Sequence, residues 1–353
     1  MLNSIPSPSA SGFSLGPLTI NVYGLMIALG VLAAVWLGRR RLAAAGHDPE
    51  FISDLALWVV PAGLIGTRMY HVATDWERLY SDGRWPDAFK IWNGGLGIPG
   101  GILAGVVVGI WYIKRRGVDL PMMMDVCAPC VPLAQAIGRF GNYFNQELFG
   151  RPTTLPWALE INNPGQLAEA QAKYPGATTF HPTFLYESLW NVGLVLVLLA
   201  IDRRNVWRRG KLLPAYVAGY FLGRMWVEEL RIDTAARVFG DLRWNFVLSV
   251  AMVVIGVIWL SWGGLRSSPE ERAARAAVRP WVKPTDDTSI EGAPVDGPPD
   301  DEAQTDEVSG DEPVTDLSES AGEVEEQLAQ SGPEFDGPRT EAPVTEPDRG
   351  DAH

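Results

Sequence analysis

Hydrophobic residues in this chain fall in long runs rather than in short alternating or amphipathic stripes. Apolar windows lie at 18–38, 51–72, 97–113, 122–141, 183–201, 212–230 and 244–262. Each is near the roughly 20 residues that carry an α-helix across a bilayer core, so the pattern predicts an all-α, polytopic membrane protein of about seven transmembrane helices. Nothing basic precedes the first window and Arg39-Arg40-Arg41 follows it, so no cleavable leader is expected. The basic clusters Arg39 to Arg41, Lys114-Arg115-Arg116, Arg203 to Lys211 and Arg266 onward all follow odd-numbered windows. The positive-inside rule then puts the N-terminus outside, the C-terminus in the cytoplasm, and the segments 73–96, 142–182 and 231–243 outside, with 142–182 forming a small external head.

Charge divides the chain further. Residues 284–353 hold 22 Asp and Glu against Arg339 and Arg349, a net of −20, whereas residues 1–283 hold 27 Lys and Arg against 20 Asp and Glu, a net of +7. The acidic piece has one aromatic, Phe335, and is rich in Pro, Gly, Ser and Thr, too little apolar surface to offset the entropy of ordering. Three parts are therefore expected: a membrane domain over 1–265, a basic juxtamembrane segment over 266–283 suited to an anionic leaflet, and a disordered acidic cytoplasmic tail over 284–353. The composition gives no nucleic-acid signature. His47, His71, His181 and His353 are scattered, and the two cysteines of Cys127-Ala128-Pro129-Cys130 read as small apolar filler, so no metal or cofactor is expected.

Against this apolar background, polar residues stand out. The run Gly138-Arg139-Phe140-Gly141-Asn142-Tyr143-Phe144-Asn145-Gln146-Glu147-Leu148-Phe149-Gly150-Arg151 closes the fourth window. Ionisable groups inside a membrane are costly and are kept for a task or for a partner. Arg68 and His71 close the second window, Gly94 to Gly101 opens the third, His181 to Glu187 opens the fifth, and Arg224 to Arg231 closes the sixth; on the predicted topology all of them sit toward the outside. Each also has a plainer reading. Arg139 and Arg224 could be structural partners of Glu147 and Glu228, and Asn142, Asn145 and Gln146 could be interhelical hydrogen-bond formers. The glycines around Gly100 and Gly101 could cradle a lipid phosphate at a helix start or only let helices approach; a dinucleotide loop is excluded because no βαβ unit surrounds them. A transporter or a non-catalytic lipid-binding protein with an Arg-lined pocket is the rival class, and no internal repeat favours it.

The signature over Gly138–Gly150 resembles that of the bacterial prolipoprotein diacylglyceryl transferases. The likeness extends over roughly 15–265, through Val22-Tyr23-Gly24-Leu25-Met26, Gly66 to Arg68, Trp92-Asn93-Gly94-Gly95, His181-Pro182-Thr183, Leu185-Tyr186-Glu187, Arg224, Val227-Glu228 and Arg231. It implies an enzyme of the bacterial cell membrane that transfers the diacylglyceryl group of phosphatidylglycerol to the lipobox cysteine in the signal peptide of a prolipoprotein, releasing glycerol phosphate. It further implies Arg139, Arg224, Glu147 and Asn142 as catalytic residues, and Arg139, Tyr23, Arg68, Asn145, Gly150, Glu228, Gly100 and Gly101 as substrate contacts. One departure is evident. Many members carry a histidine, proposed to activate the thiol, where this chain has Pro99; His71 is the expected stand-in and His181 a second candidate.

Overall fold

The computed structural model describes residues 4–15, 18–79, 85–89, 97–233, 236–238, 240 and 242–283. The acidic stretch 284–353 and the segment 90–96 lie outside the described residues, and with them the expectations of a disordered tail and of a site at Asn93 to Gly95. In chain order the elements are β1 (Gly12–Leu15), β2 (Leu18–Asn21), α1 (Val22–Ala44), α2 (Glu50–Thr74), α3 (Trp76–Leu79), α4 (Ile98–Arg115), α5 (Leu120–Cys127), α6 (Cys130–Asn145), β3 (Leu159–Glu160), α7 (Pro164–Lys173), β4 (Thr179–Phe180), α8 (Thr183–Arg203), α9 (Leu212–Leu230), β5 (Arg237–Val238), β6 (Leu242–Arg243), α10 (Trp244–Ser261) and α11 (Pro269–Ala277).

Every apolar window contains a helix. Among the described residues, six spans are long and apolar enough to cross a membrane, α5 and α6 together making one of them (Leu120–Asn145). The seventh expected span, α9, carries Arg224, Glu228 and Glu229 within 19 residues and packs against both α8 and α10. Arg224 and Glu228 meet partners on α8 and at the start of α10, and Glu229 is exposed. Large side chains such as Leu32, Leu57, Ile102, Leu196 and Val257 point outward from the bundle, as lipid-facing positions do.

Sequence dictates where the helices begin, bend and touch. Asn21 caps α1 by accepting the Tyr23 N–H, and Asp119 caps α5 by accepting the Met122 N–H. The break between α5 and α6 falls at Ala128-Pro129, where proline cannot continue the hydrogen-bond ladder. Cys130 is buried there and Cys127 half-buried, both as free thiols, in accord with apolar filler. With no lipid-excluding force between helices, close approach depends on small residues. A Cβ on Gly66 would lie 2.4 Å from the Gly100 carbonyl oxygen, and one on Gly256 only 2.8 Å from the Ala218 nitrogen.

Contacts at opposite ends of each helix pair show them to be antiparallel. Arg39 of α1 meets Glu50 of α2; on α6, Gly141 meets Tyr23 and Ala134 meets Gly30. Ser188 of α8 donates to the Ala136 carbonyl of α6 at 2.9 Å, Trp190 of α8 donates to the Gly219 carbonyl of α9 at 2.9 Å, and Asn245 of α10 donates to Glu228 of α9 at 3.2 Å. The start of α1, the ends of α2, α6 and α9, and the starts of α4, α8 and α10 therefore share one end of the bundle. The clusters at Arg39–Arg41, Lys114–Arg116, Arg203–Lys211 and Arg266 share the other.

The polar end carries a small head, and here the fold departs from purely helical. Among the described residues, strands β1 and β2, β3 and β4, and β5 and β6 form three separate two-stranded antiparallel sheets. Short segments broken by Pro and Gly cannot nucleate long helices, and paired strands satisfy their backbone instead. Phe149, Leu159, Ile161, Ala170, Phe180 and Phe184 form the core of the head.

Candidate functional site

At the polar end a connected network of charges runs through α6, α8, α9 and α10. Arg139 Nη2 of α6 lies 2.6 Å from Glu187 Oε2 of α8. The other oxygen of the same carboxylate lies 2.9 Å from Arg224 Nη1 of α9. Arg224 Nη2 in turn reaches Glu228 Oε2 at 2.9 Å, one turn further along α9. Glu228 is fully buried and also receives Arg243 Nε at 2.7 Å, Asn245 Nδ2 at 3.2 Å and, more distantly, Arg231 Nη1 at 4.0 Å. Arg231 and Arg243 close the chain on Asp233, at 2.7 and 3.3 Å. Burial works against the Asp233 carboxylate, but the hydrogen bonds and charge of Arg231, with Arg243 beside them, hold it below the usual carboxylate range.

Ion pairs among these residues join four guanidiniums, Arg139, Arg224, Arg231 and Arg243, with three carboxylates, Glu187, Glu228 and Asp233. Glu147, the fourth carboxylate of the region, is held by amides: Asn142 Nδ2 at 2.9 Å and Asn145 Nδ2 at 3.4 Å. Arg139 thus ends the network. Among the described residues its only carboxylate partner is Glu187, which it shares with Arg224, and its other contacts are long ones of 3.5 Å to Asn142 Oδ1 and the Tyr220 hydroxyl. It is the guanidinium with most capacity for an added anion, and its side chain remains 19% exposed.

Expected pairings are therefore corrected in part. Arg224 does pair with Glu228, but Arg139 pairs with Glu187 and not with Glu147. Glu187 and Arg231 stood in the outward polar clusters and in the family likeness without an assigned role, and Arg243 and Tyr220 were not among the expected site residues. Glu187 carried a signal, being an acid in an apolar segment; Arg243 stood at the edge of the last window, in the segment 231–243 expected outside.

Other expected residues take distinct positions. Tyr23 stacks its ring on Gly141, where a Cβ would come within 2.6 Å of it, and its phenol is in electrostatic reach of Glu147 and Arg139. Gly150 provides room: a Cβ there would lie 2.8 Å from the His181 Cβ and 3.1 Å from the Leu230 carbonyl, and the residue bridges to Arg231. Gln146 anchors the head in left-handed backbone, φ 52°, its side-chain oxygen accepting the N–H groups of Asn162 and Asn163 at 2.8 Å each. Gly100 and Gly101 face α2, with hypothetical Cβ atoms 2.2 Å from the Gly66 oxygen and 2.4 Å from Thr67 Cγ2. Helix packing accounts for both, and the Gly97 N–H before them is taken by the Thr67 carbonyl at 2.9 Å.

Arg68 and His71 belong to the α2–α4 pair. Arg68 is buried and donates from Nε to the Ala88 carbonyl at 2.7 Å; His71 Nδ1 lies 3.0 Å from the Asp75 carboxylate. Pro99 occupies the first turn of α4, where a missing N–H costs nothing. His181 Nδ1 is 3.1 Å from the Tyr186 hydroxyl, and burial lowers its pKa below the ordinary value. A histidine with a folded pKa below its unfolded pKa of about 6.5 is protonated more readily in the unfolded chain, so stability falls as pH drops through that value. His181→Gln should weaken this acid-side loss, as read by melting temperature between about pH 7 and pH 5; an unchanged acid limb would contradict it.

Comparison with known proteins bears on this constellation. The family model for prolipoprotein diacylglyceryl transferase matches residues 11–262, which takes in every span and the whole charge network. The chain belongs to that family. Among its relatives, phosphatidylglycerol–prolipoprotein diacylglyceryl transferase 1 of Streptomyces coelicolor is 46% identical over 287 residues, 81% of this chain and 79% of that protein. The transferase of the same description from Streptomyces griseus is 47% identical over 258 residues, 72% of this chain and 76% of its own. That of Corynebacterium efficiens is 44% identical over 278 residues, 76% and 86% respectively. As a family member the chain is a membrane-embedded transferase, and the polar end of its bundle is the place to seek the chemistry.

Proposed function

We propose that this protein transfers the diacylglyceryl group of phosphatidylglycerol to the lipobox cysteine of prolipoproteins, with Arg139 and Arg224 as the phosphate-binding pair. The observation that carries the assignment of roles is the single carboxylate, Glu187, that holds both guanidiniums side by side. In the reaction the cysteine sulfur attacks the glyceryl carbon bearing the phosphate ester. A C–S bond forms, the C–O bond to phosphate breaks, the thiol proton is lost, and glycerol phosphate departs. Charge grows on the phosphate oxygens as that bond breaks, and guanidiniums that stay charged at any working pH offer planar, paired donors to it. Glu228, buried beneath Arg224, sets that arginine's position. Asn142 and Asn145 orient Glu147 close to Tyr23, at the mouth of the site.

Thiol activation falls to His71 in this reading. Its ring is oriented by Asp75, the arrangement of a base with its positioning acid, and Pro99 cannot take a proton. The alternation of basic ends supports an outward-facing site by the positive-inside rule, with both termini placed accordingly: N-terminus outside, C-terminus cytoplasmic.

The test is direct. Purified protein, phosphatidylglycerol and a lipobox peptide should yield a peptide whose cysteine gains the mass of a diacylglyceryl group, and a Cys→Ser peptide should not. His71→Phe should lower the rate strongly at neutral pH and recover as pH approaches a thiol's own pKa of about 8.5. Equal rates for wild type and His71→Phe across pH would remove His71 from the mechanism while leaving the transfer itself intact.

A further inference from the structure

The opposite, basic end of the bundle holds a polar cavity. Its volume is about 190 Å³, and it opens between the end of α1, the side of α5, the α8–α9 connection and α11. Arg41, Asp125, Asp202, Asn205, Arg209 and Arg275 supply its polar lining. A single water needs only about 10–15 Å³ on this measure, so there is space for a group the size of a phosphate ester.

The two carboxylates in the lining are already compensated. Asp202 pairs with Arg41 Nη1 at 3.1 Å. Asp125 accepts the backbone N–H groups of Gly210 and Leu212 at 2.8 and 2.9 Å, capping the start of α9. Arg41 also donates to the carbonyls of Asp125 and Val126, at the end of α5. Arg209 and Arg275 are different. Arg209 has a loose, solvent-exposed pairing with Asp119 at 3.5 Å, and Arg275 donates one N–H to the Trp207 carbonyl at 2.9 Å. Burial, with the Arg209 charge next, depresses the Arg275 pKa although Asp125, Asp202 and Glu271 act in the other direction. Two guanidiniums that repel one another across a polar cavity are stabilised by an anion between them.

We infer that this cavity binds a phosphate-bearing group between Arg209 and Arg275, at the end of the bundle opposite the Arg139 site. The group is either the headgroup of an anionic lipid, which the position at the helix ends would admit, or a soluble phosphate. Bound there, it would tie α11 and the α8–α9 connection to α1 and α5. This site is independent of the transfer reaction and of the residues assigned to it.

The test uses the full chain in nanodiscs of phosphatidylcholine, with melting temperature as the readout. One arm titrates inorganic phosphate into the buffer; the other replaces part of the lipid with phosphatidate. Wild type should be stabilised in at least one arm. Arg209→Gln/Arg275→Gln should need at least about tenfold more of the same probe for an equal shift, as expected for lost charge-assisted contacts. Ala45→Leu, which fills the cavity and keeps every charge, should lose the response as well, and it carries the test if the double variant fails to fold. Stabilisation by phosphatidate alone assigns a lipid, and stabilisation by both probes assigns the phosphate group itself. Equal responses from wild type and both variants would place the binding elsewhere, and no wild-type response in either arm would also overturn the proposal.

Discussion

Arg139→Ala and Arg224→Ala should each cut diacylglyceryl transfer by about 100- to 1000-fold, the loss of about 2–4 kcal/mol that follows removal of one preorganised donor from a developing anion. The two variants should differ in what else they disturb. Arg139 ends the charge network, so its removal leaves Glu187 still paired with Arg224, and the protein should insert and melt much as wild type does. Arg224 bridges Glu187 and Glu228, so its loss takes one cation from each of two buried carboxylates and should lower the melting temperature too. Lysine at either position restores a charge without the planar fork and should recover little activity. The measurement is the rate of peptide modification normalised to folded, membrane-extracted protein. Near-normal rates from both alanine variants would refute the assigned roles.

Glu228→Ala should have the largest effect on the fold itself. The side chain is completely buried and faces three guanidiniums, those of Arg224, Arg243 and Arg231, together with the Asn245 amide. Breaking a buried ion network by removing one partner costs about 3–5 kcal/mol, because the charges left behind have neither water nor a counterion. At the ~2–4 °C per kcal/mol typical of domains of this size, the melting temperature should fall by roughly 10 °C. Glu228→Gln keeps an acceptor for Arg243 and Asn245 but removes the charge, and should fall between wild type and the alanine variant. A melting temperature for Glu228→Ala within about 1 °C of wild type would show that the network contributes little. Transfer should fall in both variants, since Arg224 loses the partner that positions it.

Much of the architecture could be read directly from residue order. The helix observed at 212–230 coincides with its apolar window, and the one expected over 122–141 extends to 120–145 with a break at Pro129. Bilayer thickness imposes this legibility, because a spanning segment must satisfy its whole backbone internally over a fixed length. The first helix runs past its window to Ala44, through Arg39 to Arg41, since charged residues at a membrane surface need not end a helix. The paired strands of the head escaped notice because strands of two to four residues leave no periodic trace.

For the site, sequence alone determined the chemistry available. Arginines, an acid and carboxamides at the end of an apolar run, together with the family signature, were sufficient to single out Arg139, Asn142, Glu147, Arg224 and Glu228. Which of them meet was decided only by tertiary structure. The antiparallel packing of α6, α8 and α9 brings Glu187 between Arg139 and Arg224, residues 48, 37 and 85 positions apart pairwise. Glu147 goes instead to two asparagines that lie five and two residues before it, and the separate packing of α4 on α2 uses Gly100 and Gly101. Residue type and depth follow from local composition, because burying a charge in lipid is costly wherever it occurs. Pairing depends on helix rotation and register, which small-residue contacts such as Gly30 on Ala134 and Gly256 on Ala218 fix between segments far apart in the chain.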